Sequence, residues 1–430
     1  MKNTKITNPS LNQIATDPSC MDDYDPNAMS VVQARQFIKQ FLSPISTTET
    51  LPIRESLGRV LATEIISPCN VPNHNNSAMD GVALRFSDAK KPLKLIGTAL
   101  AGKPFTGKVN AGECIKIMTG AVIPSWADTV VMQERITQNG DVITIQTTPT
   151  LGANIRLAGE DLSVGCTVLA QGHLMRPADL GLVASLGVAE VSAYKKLFIA
   201  FFSTGDELIG VGNPLTEGQI YDSNRYTIFG MLSRLNVEMV DLGVVPDNAE
   251  LLETALLKAA SENDVVITSG GVSVGEADYM KALLAKHGQV LFWKINMKPG
   301  RPLAYGKVHG VNGKSAHYFG LPGNPVSAMV TFYQFVREAL IMLMGATPKP
   351  LPIFNVQCTQ SIKKAIGRTE FQRGLLYEDH GVWKVKPTGN QGSGILSSMS
   401  AANCFIVLDE AIGNLEAGAI VQVQVLDGII

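Results

Sequence analysis

From Leu197 to Gly345 the chain alternates two textures, and that alternation narrows the possible folds more than any other feature. LFIAFF leads through a Gly-Asp loop to the helical stretch SNRYTIFGMLSRLN, VEMVDLGVV to NAELLETALLKAASEN, and DVVITSG to EADYMKALLAKHG. VLFWKINM, PLAYG and HYFGLPG follow, and the helix NPVSAMVTFYQFVREALIMLMG closes the series. Strand-length apolar runs in turn with helices predict a parallel or mostly parallel sheet, doubly wound, with helices on both faces. Such sheets collect ligands beyond the carboxyl ends of their strands, so the loops leaving those ends are where function is to be sought.

Other textures flank this α/β region, and a chain of 430 residues is long enough for several domains. The first 28 residues read as a polar tail without the apolar centre of a signal peptide. MSVVQARQFIKQFL, residues 29–42, places apolar residues at helical spacing and is closed by Ser43 and Pro44. Residues 71–149 hold short strands and many turns, which predicts a small β domain, and 150–195 return to mixed character with the helix PADLGLVASLG. The stretch from Ala346 to Ile430 is again strand-rich and predicts a small β barrel or sheet.

Composition excludes more than it suggests. A net charge of −2 with 17% charged residues gives no reason to expect nucleic acid or an anionic membrane as partner. The six cysteines are scattered without metal-finger spacing and read as buried thiols of a reducing cytoplasm rather than a disulfide frame or a zinc site. No uninterrupted apolar run reaches the ~18 residues of a membrane span.

Three loops leave successive strands: STGDEL (203–208), TSGGVSVGEADY (268–279) and LPGNPVSA (321–328). Their glycines allow close backbone approach, and each is followed by a helix start that favours an anion. Neither GxGxxG nor GxxxxGK[ST] occurs, which argues against a dinucleotide dehydrogenase and a P-loop NTPase. Glu207, Asp247 and Asp278 fall where a phosphate is inferred. Carboxylates and phosphate repel, and a divalent cation, Mg²⁺ by its oxygen preference, reconciles them. The plainer alternative makes Asp206, Asp247 and Glu276 helix caps or first-turn acids. In FWKINMKPGRP, Lys294, Asn296 and Lys298 alternate as if on one side of a strand, with Arg301 beyond the turn. That is either an oxyanion-binding row or a solvated edge.

NSAMDGVA (76–83), IMTGA (117–121), AGEDL (158–162), STGDEL, GQIYDSN (218–224), TSGGVSVGEADY, KPGRPLAYG (298–306), LPGNPVSA and FQRG (371–374) run in this order. In these motifs the chain resembles the MoeA family of molybdopterin molybdenumtransferases, which includes the E domain of gephyrin-like proteins, from about Met29 onward. The resemblance implies a central molybdenum-cofactor-synthesis domain at 196–345, a C-terminal β domain at 346–430, and a split mixed α/β domain at 29–70 and 150–195. The β domain at 71–149 is inserted into the split one. It also implies a cytoplasmic homodimer with clefts completed across the interface. The substrate is adenylated molybdopterin, whose dithiolene receives molybdenum from molybdate while AMP leaves with Mg²⁺ assistance.

By the same resemblance Asp80, Thr119, Asp161, Glu207, Asp247 and Asp278 occupy the family's catalytic positions, with Glu207, Asp247 and Asp278 as metal ligands. Substrate contacts are expected from Ser269, Gly270, Gly271, Ser273, Gly275, Pro322, Gly323, Asn324 and Ser393. Lys294, Lys298, Arg301 and Arg373 are expected to meet phosphate or molybdate. The pathway's adenylyltransferase and downstream maturation proteins are candidate partners. The chain has Arg301 where relatives often carry lysine, a single arginine, Arg156, in NIRLAGED, and no histidine beside QGS in TGNQGSG. A non-catalytic scaffold of the gephyrin type and an adenylyltransferase are the competing functional classes.

Overall fold

The computed structural model describes residues 28–271 and 278–426, so Ser273, Gly275 and Glu276 lie outside the described residues. The chain divides into two units. The first takes the chain up to Glu49, then Gly58–Val60 and everything from Tyr194, and the second takes Thr50–Leu57 and Leu61–Ala193.

At the centre of the first unit is a six-stranded sheet in the order Glu238–Val245, Phe198–Thr204, Val265–Ser269, Ser315–Leu321, Pro302–His309 and Gly288–Lys294. Five of the six strands run the same way and Pro302–His309 runs against its two neighbours, the mostly parallel sheet that the alternation predicts. Phe198–Thr204 and Val265–Ser269 are almost wholly buried, because helices cover both faces of a parallel sheet and leave neither in water. Side chains alternate across the pleat. Ile199, Phe201 and Ile267 pack with residues of the helices Val31–Gln40, Asn224–Ser233 and Pro325–Thr331, while Ala200, Phe202 and Val266 pack with Leu252, Leu256 and Leu284 on the other face.

The helical run Pro325–Leu343 is long and apolar enough to cross a membrane, but 72% of that apolar window is buried within the protein. It serves as a core helix, widened by a π turn at Phe332–Val336. The first helix, Val31–Gln40, starts later than its apolar spacing suggests because Ser30 and Gln33 form a capping box that fixes its start.

Five strands near the C-terminus, Ile353–Cys358, Thr369–Asp379, Val382–Pro387, Cys404–Leu408 and Ile420–Val425, close on one another into a barrel around Val385, Cys404, Ile406 and Val423. Met297–Lys298 adds to its strand Thr369–Asp379. This corrects the expectation that Lys294, Asn296 and Lys298 share one strand face. The central-sheet strand ends at Lys294, Asn296 donates its backbone N–H to Met29 O and its side chain to Gly367 O, and Lys298 already belongs to the other sheet. A period of two holds only within one strand, and here the chain changes sheets.

The second unit contains a six-stranded sheet, Thr129–Met132, Gly81–Leu84, Glu113–Ile117, Leu93–Ala99, Val142–Ile145 and Ile136–Asn139 in spatial order. Val82, Leu84 and Cys114 pack on one side, Ala83, Ile115 and Ile117 on the other. Gly81 has no room for a side chain, since a Cβ there would sit 1.9 Å from Val131 O. A further core joins the helix Pro177–Ser185 to Leu51, Leu61, Leu169 and Val191.

Candidate functional site

Three parallel strands of the first unit end side by side at Thr204, Ser269 and Leu321, and the loops that leave them are tied together by buried polar groups. Gly270 donates its N–H to Leu321 O at 3.2 Å. Its φ is +91°, and a Cβ would meet Thr204 O at 2.6 Å. Gly271, at φ +66°, is likewise left-handed. Glycine here serves both the backbone conformation and the close packing of two strand ends.

Asn224 opens the helix Asn224–Ser233 and is 8% exposed. Its Nδ2 donates to Ser269 Oγ at 2.7 Å and to Gly323 O at 2.6 Å, so one amide spans two of the three loops. Its Oδ1 is buried and has no partner among the described residues. Two residues earlier, Asp222 accepts from Ser203 Oγ at 3.0 Å and from Arg225 N at 3.2 Å. Its Oδ2 is also buried without a hydrogen bond among the described residues, with Arg225 Nε 3.7 Å away. Buried polar atoms ordinarily find partners, and these two acceptors lie just before and at the start of the helix beside the strand ends. Sequence reasoning quoted GQIYDSN without choosing Asp222 or Asn224.

The acidic groups divide by role. Asp206 Oδ1 accepts from Asp247 N at 3.0 Å and stitches two strand-end loops together. The cap of the helix Ala249–Glu262 is Asn248, which accepts from the N–H groups of Glu250 and Leu251, so the capping alternative for Asp247 does not hold. Glu207 is exposed, and its carboxylate folds over Gly205. Asp278 begins the helix Asp278–His287. Among the described residues no group of three His, Cys, Asp or Glu is assembled as a metal centre. Carboxylate oxygens from Glu207 and Asp247 at neighbouring strand ends, with Asp278 at the next helix start, are nevertheless the hard donors that magnesium takes, and the residue types fit that ion.

On the barrel, Arg373 holds a loop from within. It is 1% exposed, its Nε donates to Ser398 Oγ at 3.0 Å, and it also donates to Gly392 O at 3.0 Å and Asn390 O at 3.4 Å. Burial pushes its guanidinium down to about 10. Arg373 thus shapes the loop that carries Ser393, whose carbonyl accepts from Val326 N at the start of the helix after LPGN. Pro322 is buried, whereas Gly323 and Asn324 are exposed beside it. Lys294 and Arg301 are half-buried, and Lys298 lies 3.5 Å from Glu370.

The second unit holds its own cluster. Thr119 donates both its hydroxyl and its N–H to Asp80 Oδ1, each at 2.7 Å. These bonds, with Lys116 adding to them, hold the Asp80 carboxyl below its ordinary range and keep it ionised. Thr119→Val is expected to raise the Asp80 pKa by removing the larger of the two bonds, and a carboxyl NMR titration that found it unmoved would refute that assignment. Asp161 is exposed and is fixed through its backbone N–H to Val71 O at 3.1 Å.

Residues 29–187 match the MoeA N-terminal region (domain I and II), residues 200–341 a probable molybdopterin binding domain, and residues 355–426 the MoeA C-terminal region (domain IV). The chain is 47% identical over 401 residues to a molybdopterin molybdenumtransferase of Haemophilus influenzae, covering 92% of this chain and 98% of that relative. A gephyrin of Dictyostelium discoideum is 35% identical over 87% of this chain and 59% of its own length. The fold matches the crystal structure of the molybdopterin biosynthesis moeA protein from Pyrococcus horikoshii OT3 with a TM-score of 0.79 at 30% identity, over 93% of this chain and all of that one. Sequence and fold agree across nearly the whole length, and the chain belongs to the MoeA family.

Proposed function

We propose that the chain is a molybdopterin molybdenumtransferase that takes adenylated molybdopterin and molybdate, places molybdenum on the dithiolene and releases AMP, the last step of molybdenum cofactor biosynthesis. The observation that carries this reading is the Asn224 amide, which holds the Ser269 and Gly323 loops together and keeps an unpaired acceptor at the strand ends. Gly270 and Gly271 let the second loop pack closely on Thr204, and Asn324 and Ser393 border the start of the helix Pro325–Thr331 beside Gly323. Magnesium, held by Glu207, Asp247 and Asp278, would offset the charge of the leaving phosphate. Lys298, with Lys294 and Arg301, supplies positive charge to the oxyanion. In the second unit Asp80, Thr119 and Asp161 are proposed functional positions, with Asp80 kept anionic by Thr119.

The active form is proposed as a cytoplasmic homodimer, divided as the resemblance implies into a split domain, an inserted β domain, a cofactor-synthesis domain and a C-terminal barrel. Equilibrium titration with adenylated molybdopterin tests the substrate assignment. Asn224→Ala loses two buried hydrogen bonds and is expected to bind about tenfold more weakly. Equal binding by variant and parent would place the nucleotide elsewhere.

A further inference from the structure

Lys298 ends a two-residue strand in parallel register with Thr369–Glu370 of the barrel. Its Nζ lies 3.5 Å from Glu370 Oε1, yet the two side chains sit in different surroundings: that of Lys298 is 57% exposed and that of Glu370 only 5%. Glu370 is fixed from behind, since its Oε2 accepts from Gln372 Nε2 at 2.8 Å and the same amide donates to Lys363 O at 3.1 Å. The carboxylate therefore has little freedom to swing away, while the ammonium moves at the solvent edge. A buried carboxylate stripped of water depends on nearby positive charge. Lys364, itself buried, is within electrostatic reach and is already bonded to Ile412 O at 2.7 Å and Ala365 O at 3.2 Å. Lys298, 57% exposed, can turn either to Glu370 or to an anion in solution.

We propose that Glu370, held by Gln372, is a positioning residue that tunes oxyanion affinity by competing with the incoming dianion for the Lys298 ammonium. The inference rests on the reading of Lys298 as an oxyanion group. An oxyanion that engages Lys298 must first weaken the internal pair, so the buried carboxylate sets the concentration at which molybdate saturates. It also repels an anion that approaches without displacing it, which raises the oxyanion concentration needed and favours release after transfer.

Glu370→Gln keeps the shape of the side chain and removes its charge. Molybdate titrations of the purified enzyme with adenylated molybdopterin are expected to show the half-saturating concentration falling about fivefold, with turnover at saturation little changed. On a Lys298→Ala background the same substitution is expected to have no effect, because the carboxylate acts through that ammonium. Glu370→Asp, which withdraws the charge while keeping it, should give a smaller fall and supplies the test if Glu370→Gln does not fold. A half-saturating concentration that is unchanged or raised in both Glu370 variants, while Lys298→Ala raises it, overturns the inference and leaves the oxyanion reading standing. If Lys298→Ala is itself without effect, the oxyanion reading fails and the inference with it.

Discussion

Gly270→Ala is expected to reduce turnover by at least about a hundredfold, the scale associated with displacing a reacting group by about an ångström. The added methyl would lie 2.6 Å from Thr204 O and 3.0 Å from Thr204 Oγ1, at a φ of +91° that side chains rarely adopt. The nearer neighbour is backbone, so the strand ends themselves must part. Because Gly270 N also bonds Leu321 O, the displacement spreads to the third loop. A cost of about 1–3 kcal/mol in stability is expected for strain of this kind. Melting and turnover measured on the same preparation separate the two effects. A variant with parental turnover would mean that the glycine loops are turn chemistry alone.

The second large effect concerns the metal. Glu207→Gln keeps an oxygen and the size of the side chain but removes the charge that a hard cation requires. AMP release is expected to fall about a hundredfold, in the range of a lost electrostatic contribution at a reacting centre, and the magnesium concentration for half-maximal rate should rise. Asp278→Ala should behave similarly if it shares the ion. Full activity of the parent in excess EDTA would refute the magnesium assignment.

The parts of the fold that were legible in the sequence are those where one physical rule acts without competition. Phe198–Thr204 and Val265–Ser269 read as buried strands because helices cover both faces, which leaves an apolar run and no alternation. The Ser-Gly-Gly loop was legible for a similar reason, since positive φ and close backbone approach both require glycine. Asp222 and Asn224 were not. Their partners come from elsewhere in the chain, as Ser269 lies 45 residues from Asn224 and Gly323 lies 99 residues away, and a local reading sees only a turn before a helix. Arg373 has long-range contacts that its motif does not reveal. A cation in a resembling motif suggests an anion, and a guanidinium also carries enough donors to hold a loop, as it does here at Gly392, Asn390 and Ser398. The row of Lys294, Asn296 and Lys298 fails because no sequence pattern announces that a strand has passed from one sheet to the next.

The most direct test of the account measures two products in one reaction. Purified enzyme incubated with adenylated molybdopterin, Mg²⁺ and molybdate should release AMP and form active molybdenum cofactor in equal amounts. Omission of molybdate should prevent cofactor formation, and removal of Mg²⁺ should suppress AMP release. Neither AMP nor active cofactor from saturating substrates, with the parent protein folded and binding the nucleotide, would contradict the assignment of this chain as the molybdenum-inserting enzyme.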